Sequence, residues 1–427
     1  MKMKTKLLLR FALFSSLFVL LIVTSCKKAE FGDHVILATG TEVTPILKFA
    51  VQDTPASYLV TATSTQKADQ DITVTFAFDS TAIKTYNAAH NTTYYVVPLT
   101  AIDIQNLTTV IKAGTSASTP VTVKITSTQP LKEGRSYLIP LTIKSVSGGN
   151  MNVLESSRTA FLRIARIISF PAVSMNNSNA GTTGSPGTRG RFNGAFLLSP
   201  ATPVNLPNFT LEIKEYCYAF RGGDGNSNPQ PIQSIVDWGD QMETATFGLR
   251  FGELGNPNNS LQLTSPIGGA FAYNFNALQW YTISLTYDGS TCTMYVDGEK
   301  AATLSGAVNF NFSRMQFGQV WGGYDTKQYF NGRIGECRVW SRCLTSSEIK
   351  LNLCGADPNA PGLLAYWKLN EGSGSTFHNS STAGSKYDLD WTKVYWDLAG
   401  LGDDKMTLAD KSTYVTWTND AFNKCSQ

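Results

Sequence analysis

The feature that most limits the fold of this chain is a series of short runs in which apolar and polar residues alternate. Such runs begin at Tyr58, Ile72, Val121, Tyr137 and Phe209, and Gly, Pro or Asp-Gly pairs separate them. A period of two is that of a half-buried β-strand, and short strands with frequent turns are typical of antiparallel sandwiches. The sequence therefore predicts an all-β protein, and its 427 residues favour two domains.

Two segments depart from this period and are predicted to be short helices. Between residues 80 and 90 the apolar residues have helical spacing, which indicates a helix packed on the sheet of the first domain. After Leu344, Thr345 has the position of an N-cap, and Glu348 three residues later completes a capping box.

A meander of hairpins is predicted in the second half of the chain. The pairs 288–289 and 297–298 are both Asp-Gly, which suits the positive φ angles of type I′ turns, and they bracket a strand of seven residues. The core face of the preceding strand is expected to consist of Tyr281, Ile283 and Leu285.

The first 25 residues have the features of a secretory signal. They carry four basic residues and an apolar stretch from 11 to 23, which is shorter than the roughly twenty residues that span a bilayer. The stretch ends in Val-Thr-Ser before Cys26, which resembles the lipobox of bacterial lipoproteins. The resemblance implies cleavage before Cys26 and lipidation of its thiol. Lys27 follows instead of Asp, so sorting to the outer membrane is expected, with either surface or periplasmic orientation.

The charge balance excludes two classes of partner. The formal net charge is +3, but four of the basic residues belong to the signal, so the rest of the chain has a net charge of about −1. Nucleic acids and anionic membrane surfaces bind to a positive field, which this body does not supply. Contact with the membrane is therefore expected through the lipid anchor alone.

Six cysteines remain after Cys26, and all lie in the second half of the chain. An exported protein with an even number of cysteines is able to form disulfides, although the connectivity does not follow from the sequence. For Cys292, burial as a small apolar residue is as reasonable as a bridge. The disulfide candidates are Cys217, Cys292, Cys337, Cys343, Cys354 and Cys425.

Residues 41–166 contain a succession of motifs that resembles one particular domain. Three of them are Asp71-Ile-Thr-Val, Leu131-Lys-Glu-Gly-Arg-Ser-Tyr-Leu-Ile-Pro and Ser145-Val-Ser-Gly-Gly. They are similar to the Ig-like N-terminal domain of unknown function on surface lipoproteins of glycan-degrading Gram-negative gut bacteria. The resemblance implies a β-sandwich with the role of a spacer, which residues 26–40 would tether to the anchor.

Residues 168–400 resemble the laminin-G-like, concanavalin-type sandwich. The motifs are the two Asp-Gly hairpins after Trp280, the strand Gly332-Arg-Ile-Gly-Glu-Cys-Arg-Val-Trp, the turn into the helix at Leu344, and Gly362-Leu-Leu-Ala-Tyr-Trp. The resemblance implies a jelly-roll fold and leaves function open, because lectins, adhesion modules and glycosidases share it. Residues 401–427 depart from the pattern and are treated as a C-terminal extension.

The sequence lacks the carboxylate pattern of concanavalin-type glycosidases. These enzymes place an acid and a nucleophile on one face of one strand, which needs an even spacing. Glu212 and Glu215 are three residues apart, as are Asp237 and Asp240, so each pair is expected on opposite faces. No nucleophile elbow or phosphate-binding loop is present in the sequence either. A non-enzyme is therefore expected, with a glycosidase as the less favoured alternative.

Sugar binding needs an exposed aromatic platform next to hydrogen-bonding groups. Trp321, Tyr324 and Asp325 occur together in a Gly-rich stretch, and Trp238 has a similar setting in Val-Asp-Trp-Gly-Asp. These four residues are the candidate carbohydrate site, while burial of the tryptophans at the sandwich edges is an equal alternative. The tryptophans assigned to the core are Trp280, Trp340 and Trp367.

Laminin-G-like domains often hold one Ca²⁺ at the rim, and the candidate ligands are Asp325 and Asp240. Acids in Gly-rich stretches are also common turn formers, so this cofactor stays an expectation. The combined hypothesis is a lipid-anchored, non-catalytic protein of the cell envelope that binds a glycan for a glycan-uptake system. The alternative from another class is a protein-binding module that organises neighbouring surface proteins.

Overall fold

The computed structural model describes most of the chain between residues 34 and 426. The described ranges are 34–37, 45–51, 54–104, 106–132, 134–174, 194–197, 203–220, 232–239, 246–253, 255–318, 330–374, 376–390 and 416–426. Strands dominate these ranges, as the alternating pattern predicted, and the fold is all-β.

The first part of the chain forms twelve strands and one helix. The elements are β1 (His34–Leu37), β2 (Ile46–Val51), β3 (Ala56–Val60), β4 (Ala62–Ser64), β5 (Ile72–Phe78), α1 (Thr81–His90), β6 (Tyr95–Val96), β7 (Ile102–Asp103), β8 (Thr108–Ile111), β9 (Val121–Ile125), β10 (Tyr137–Ser147), β11 (Asn152–Val153) and β12 (Thr159–Ser174).

The second part adds the strands of a larger sandwich. They are β13 (Gly194–Leu197), β14 (Val204–Asn205), β15 (Phe209–Cys217), β16 (Gln233–Gly239), β17 (Phe247–Phe251), β18 (Leu261–Ser265), β19 (Gly268–Ala272), β20 (Trp280–Tyr287), β21 (Thr291–Val296), β22 (Glu299–Ser305), β23 (Asn311–Phe312), β24 (Arg314–Phe317), β25 (Gly332–Trp340), α2 (Ser346–Leu351), β26 (Leu363–Trp367), β27 (Thr376–Phe377), β28 (Leu389–Asp390) and β29 (Thr416–Ser426).

One long sheet connects the two parts, and we call it the shared sheet. Its order is β22-β21-β20-β15-β25-β12-β10-β5-β8. The sixteen-residue strand β12 pairs with β10 in its first half and with β25 at its end. β12 also pairs with β2 and then with β29, so the predicted C-terminal extension contributes a strand.

A second sheet, which we call the six-stranded sheet, completes the sandwich with the order β13-β24-β16-β17-β18-β19. The main core lies between this sheet and the shared sheet and includes Phe209, Trp238, Phe247 and Trp367. Tyr281, Ile283 and Leu285 belong to the same core, as predicted from their alternation.

Both predicted helices are present. Ile83 of α1 is buried against Leu138 and Phe161 of the first domain. α2 begins after Thr345, whose hydroxyl accepts a hydrogen bond from the backbone N–H of Glu348, while the Glu348 carboxylate accepts one from the backbone N–H of Thr345. The predicted capping box is therefore confirmed.

Two local expectations are corrected. Residues 34–37, assigned to a tether, form β1, because Val35 is fully buried in the core of the first domain. Asp297 and Gly298 both have positive φ, as a type I′ turn requires, but at the earlier pair only Gly289 does. Asp288 instead accepts hydrogen bonds from the next backbone N–H groups, including that of Thr291.

Candidate functional site

The sandwich has two outward faces, and helix α2 covers part of one of them. Trp340, Leu344, Ile349 and Tyr366 form a separate buried cluster between α2 and the outward side of the shared sheet. Trp340, assigned to the core from sequence, is therefore fully buried beneath the helix rather than between the sheets. We call this region the closed face.

A buried ion pair lies within the closed face. Nε of Arg338 is 3.0 Å from Oε2 of Glu212, and both side chains are 1% exposed. Glu212 also accepts hydrogen bonds from Nε1 of Trp340 at 2.7 Å and from Oγ of Ser284 at 3.0 Å. The carboxylate is thus held by three neighbouring side chains, as a buried charge requires.

Further polar contacts fix Arg338 in place. Its Nη1 donates to the backbone carbonyl of Asn352 at 2.8 Å, just after α2. Burial lowers the pKa of Arg338, but the carboxylates of Glu212 and Glu336 outweigh it and raise the pKa overall. Glu336 in turn accepts a hydrogen bond from the Tyr366 hydroxyl at 2.6 Å. The described polar side chains of the closed face are therefore engaged with other protein groups rather than turned towards a ligand.

The other outward face, on the six-stranded sheet, is open at its β19 edge. Leu249 and Leu263 point into the core, so the residues that alternate with them point outward. The strand register places Arg250 opposite Gln262 and Gln262 opposite Phe271. We call the outward residues of this region the exposed face: Arg250, Glu253, Gln262, Thr264, Phe271 and Tyr273.

Two aromatic rings form the outer edge of the exposed face. Phe271 is half-buried on β19, and Tyr273, just past the strand, is 55% exposed. Their ring centroids are 6.1 Å apart and the ring planes differ by 21°. The backbone after them is unusual, because Asn274 and Leu278 have φ angles of 68° and 61°.

Hydrogen-bonding groups lie beside these rings. Nε of Arg250 donates to Oε1 of Gln262 at 2.6 Å, and the Arg250 guanidinium forms an ion pair with Glu253. Burial lowers the pKa of Arg250 and Glu253 opposes this shift, so the guanidinium stays charged at neutral pH. The aromatic pair and this polar row suit a ligand with a flat apolar face that is edged by hydroxyl groups.

A smaller concavity lies between the two domains. Its volume is about 60 Å³, and its lining includes Tyr95 and Asp357. Asp357 accepts hydrogen bonds from the Tyr95 hydroxyl and from Nε of Arg135, both at 2.7 Å. Burial, followed by the bond to Asp357, raises the pKa of Tyr95 to about 12. Because these groups bind one another, the cleft acts as a contact that holds the domains together.

The structure corrects one candidate of the carbohydrate site. Trp238 is 0% exposed and belongs to the main core, because β16 lies in the middle of the six-stranded sheet and this position points inward. The other candidates, Trp321, Tyr324 and Asp325, lie outside the described residues, as does Asp240. The calcium hypothesis on Asp325 and Asp240 therefore stays a prediction.

The carboxylates that were examined for catalysis are separated. Glu212 lies on the closed face, whereas Glu215 is opposite Tyr281 on β20 and points into the core. Asp237 is buried, with Oδ2 3.8 Å from Nη2 of Arg314. The predicted placement of Glu212 and Glu215 on opposite faces of β15 is thus confirmed.

Trp280 differs from its assignment to the core. It is half-buried on the outward side of the shared sheet, next to Tyr216 with the ring centroids 5.3 Å apart. Gly335 lies under the ring, since a Cβ there would be 3.2 Å from Cζ3 of Trp280. Trp367 is fully buried in the main core, as predicted.

The cysteines divide into two groups. Cys217, Cys292, Cys337 and Cys343 form no disulfide, and burial raises the pKa of Cys292 to about 12. Cys354 is disulfide-bonded. The side chains of Cys26 and Cys425 are outside the described part of the chain. Four of the six disulfide candidates are therefore corrected, since their thiols form no disulfide.

The described ranges contain neither a membrane-spanning helix nor a cluster of metal ligands. No helix there has the length and apolar character that crossing a membrane requires. Within the same residues, no three His, Cys, Asp or Glu side chains come together in a way that would hold a metal ion.

The sequence contained a signal for the aromatic pair that our reasoning missed. Residues 270–273 are Ala-Phe-Ala-Tyr, in which both aromatics occupy one face of a strand and both alanines the other. A strand whose larger apolar residues face the core would show the same pattern. The register of β19 on β18 places Ala272 in the core and Phe271 outside.

Comparisons with known families agree with the two-part fold. Residues 31–150 match the model of a family that is described as an N-terminal domain. Residues 214–350 match the model of the concanavalin A-like lectin/glucanases superfamily. The sandwich is therefore of the concanavalin-like type. No curated protein matches the chain significantly.

Solved structures are similar to this chain at low identity. A protein of Bacteroides ovatus that is proposed to bind carbohydrate is 19% identical, with 85% of this chain and 97% of that chain covered and a TM-score of 0.51. A heptameric SAP-like pentraxin of Limulus polyphemus is 13% identical over 45% of this chain and 84% of its own, with a TM-score of 0.32. EndoBT-3987 of Bacteroides thetaiotamicron, in complex with a Man5GlcNAc product, is 18% identical over 37% and 34%, with a TM-score of 0.26.

Proposed function

We propose that this chain is a lipid-anchored, non-catalytic protein of the bacterial cell envelope that binds carbohydrate at the exposed face. The observation that carries the proposal is the Phe271–Tyr273 pair beside the Arg250–Gln262 row. Sugars have apolar C–H faces that stack on aromatic rings and hydroxyl groups that exchange hydrogen bonds with planar side chains. The solved protein of Bacteroides ovatus, proposed to bind carbohydrate, supports the same class of ligand.

The arrangement of carboxylates supports a binding role rather than hydrolysis. A glycosidase needs two carboxyl groups that face one another across the substrate. On β15, Glu212 is engaged by Arg338 and Trp340, and Glu215 points the other way into the core. On the exposed face, Glu253 forms an ion pair with Arg250.

The test of binding is a glycan array followed by titration calorimetry with the glycans that bind. Phe271→Ala and Tyr273→Ala are each expected to weaken binding by about 1–3 kcal/mol, the usual cost of truncating an aromatic anchor. Leu99→Ala is the matched control, because Leu99 is 64% exposed but lies in the first domain. Unchanged affinity in both aromatic variants would exclude the exposed face. Glycans recovered shorter after incubation would instead favour an enzyme.

The membrane anchor is tested separately. If Cys26 carries the lipid, Cys26→Ala should move the protein from the detergent-extracted membrane fraction to the soluble fraction. Cys343→Ala, which removes a half-buried free thiol, is the control and should stay with the membrane. Membrane association that persists in Cys26→Ala would contradict the anchor. Protease shaving of intact cells then distinguishes a surface position, which a glycan-uptake system uses, from a periplasmic one.

A protein-binding role is the second candidate, and a specific group of side chains favours it. Tyr216 pairs with Trp280 on one neighbouring strand and with Arg333 on the other. Tyr, Trp and Arg are the residues that most often dominate binding between proteins. A partner from the cell envelope whose capture is lost in Trp280→Ala and retained in Tyr273→Ala would support this role.

A further inference from the structure

The aromatic pair of the exposed face is arranged in tandem along one direction. Phe271 lies on β19 and Tyr273 follows two residues later, so both side chains project from the same side of the chain. Their centroids are 6.1 Å apart and their planes are within 21° of parallel. This spacing is close to that of neighbouring sugar rings in a polysaccharide. Both rings are therefore close enough to contact one saccharide chain.

The polar groups beside the rings also lie on more than one strand, β17 and β18. Gln262 is directly opposite Phe271, and Arg250 is opposite Gln262 on the next strand. Among the described residues, Arg250 donates a hydrogen bond to Oε1 of Gln262, and no described group accepts a hydrogen bond from Nε2 of Gln262. A ligand stacked on Phe271 thus has an amide donor beside it. Glu253 extends the polar row away from this position, through its ion pair with Arg250.

The charges of the exposed face are balanced. Among the described residues that we named for this face, Arg250 is the cation and Glu253 the anion, and they form an ion pair with side chains 21% and 22% exposed. An anionic sugar would have to compete with Glu253 for the guanidinium and would meet repulsion from the carboxylate. A neutral sugar interacts with both groups through its hydroxyls at no such cost.

We propose that the exposed face binds a neutral, linear oligosaccharide across at least two consecutive sugar rings, with the saccharide chain running along β19. This inference rests on the carbohydrate-binding function proposed above and specifies its ligand class. The internal part of a polysaccharide is then sufficient for recognition, and a free chain end is not required.

The experiment titrates the full chain with neutral cello-, xylo- and manno-oligosaccharides, each from the monosaccharide to the hexasaccharide. Oligogalacturonates of the same lengths serve as the anionic series. In the neutral series that binds, affinity should rise about tenfold between the monosaccharide and the trisaccharide, because the second ring adds a second stacking contact. In Tyr273→Ala this rise should disappear, whereas Tyr273→Phe, which keeps the ring, should retain it.

A charge variant tests the neutral specificity. Glu253→Gln leaves Arg250 without its anionic partner, so the variant should bind oligogalacturonates about tenfold more tightly than the wild type does. The neutral series should show no such gain, because a neutral sugar has no charge for the released guanidinium to attract. An oligogalacturonate that binds the wild type as tightly as the neutral series would overturn the proposed ligand class.

The outcomes separate this inference from the function on which it rests. Binding that Phe271→Ala removes, but that is equally strong for the monosaccharide and the trisaccharide, would overturn the tandem site and leave carbohydrate binding intact. If no saccharide of the array or the panel binds, or if neither Phe271→Ala nor Tyr273→Ala changes the affinity, the proposed function itself fails. Unchanged thermal midpoints in both Tyr273 variants confirm that the folded protein is being compared.

Discussion

The closed and exposed faces of the sandwich use the same kind of ion pair for different purposes. On the closed face, Arg338 and Glu212 are 1% exposed and lie under α2. On the exposed face, Arg250 and Glu253 are 21% and 22% exposed, and Gln262 lies between Arg250 and the aromatic Phe271. The residue types are alike, so the covering helix decides whether the pair stabilises the fold or is available to a ligand.

This difference shows why motif residues do not by themselves locate a binding site. The motif strand that revealed the fold, residues 332–340, supplies Glu336, Arg338 and Trp340 to the closed face. Its polar residues hold α2 on the sheet. The exposed face instead consists of residues on β17, β18 and β19 that no recognised motif includes.

The largest expected effect comes from breaking the closed face. Arg338→Ala leaves the Glu212 carboxylate buried without its cation, which typically costs about 3–5 kcal/mol. Urea denaturation followed by tryptophan fluorescence measures the change in the free energy of unfolding. The matched variant on the other face, Arg250→Ala, should cost less than about 1 kcal/mol, because its partner Glu253 is partly solvated.

The comparison fails if the two arginine variants are equally stable. A loss below about 1 kcal/mol for Arg338→Ala would mean that water reaches Glu212 and that the closed face is not closed. A loss above about 3 kcal/mol for Arg250→Ala would mean that the exposed face is part of the structural framework.

A second pair of variants compares the inward and outward sides of the six-stranded sheet. Trp238→Ala removes a fully buried ring from the core and should cost about 3–5 kcal/mol of stability. Tyr273→Ala removes a ring that is 55% exposed and should change stability by less than about 1 kcal/mol. The thermal midpoint of each variant measures its loss of stability. A large drop in the midpoint of Tyr273→Ala would assign that ring a structural role.

Some of these features follow from the sequence, because they depend on local spacing. The capping box at Thr345 needs one residue at each end of a four-residue span. The opposite orientation of Glu212 and Glu215 follows from their odd separation on one strand. Short-range periodicity also predicted α1 and the core face of β20.

The remaining features depend on which strands become neighbours. Asp and Gly around Trp238 suggest a site, but β16 pairs with β17 and β24 in a register that places this ring on the core side of the sheet. The outward orientation of Phe271 depends on the register of β19, and a shift of one residue would bury it. β29 pairs with a strand about 250 residues earlier, for which no local pattern is a guide.

The smallest expected effect concerns Glu215, whose carboxyl group belongs to neither face. It is 0% exposed, and no described residue hydrogen-bonds either carboxyl oxygen. Burial, with a contribution from Asp297, raises its pKa well above the usual 4.5. The folded protein therefore holds a proton on this group at a pH where the unfolded chain has lost it.

The sign of the pH dependence follows from this shift. Below about pH 4.5 both states are protonated and the contribution of Glu215 to stability is fully present. As the pH rises above this value, the unfolded chain releases the proton first, so the wild type loses stability.

Glu215→Met keeps the length of the side chain and has no proton to release. Its thermal midpoint should exceed that of the wild type at pH 8, by about 2–4 °C for each kcal/mol gained, and the difference should shrink towards pH 4.5. Glu299→Gln, which removes a carboxyl group from a side chain that is 76% exposed, is the control for the loss of a glutamate. A Glu215→Met variant whose profile is parallel to that of the wild type would mean that this carboxyl group titrates alike in the folded and unfolded chain.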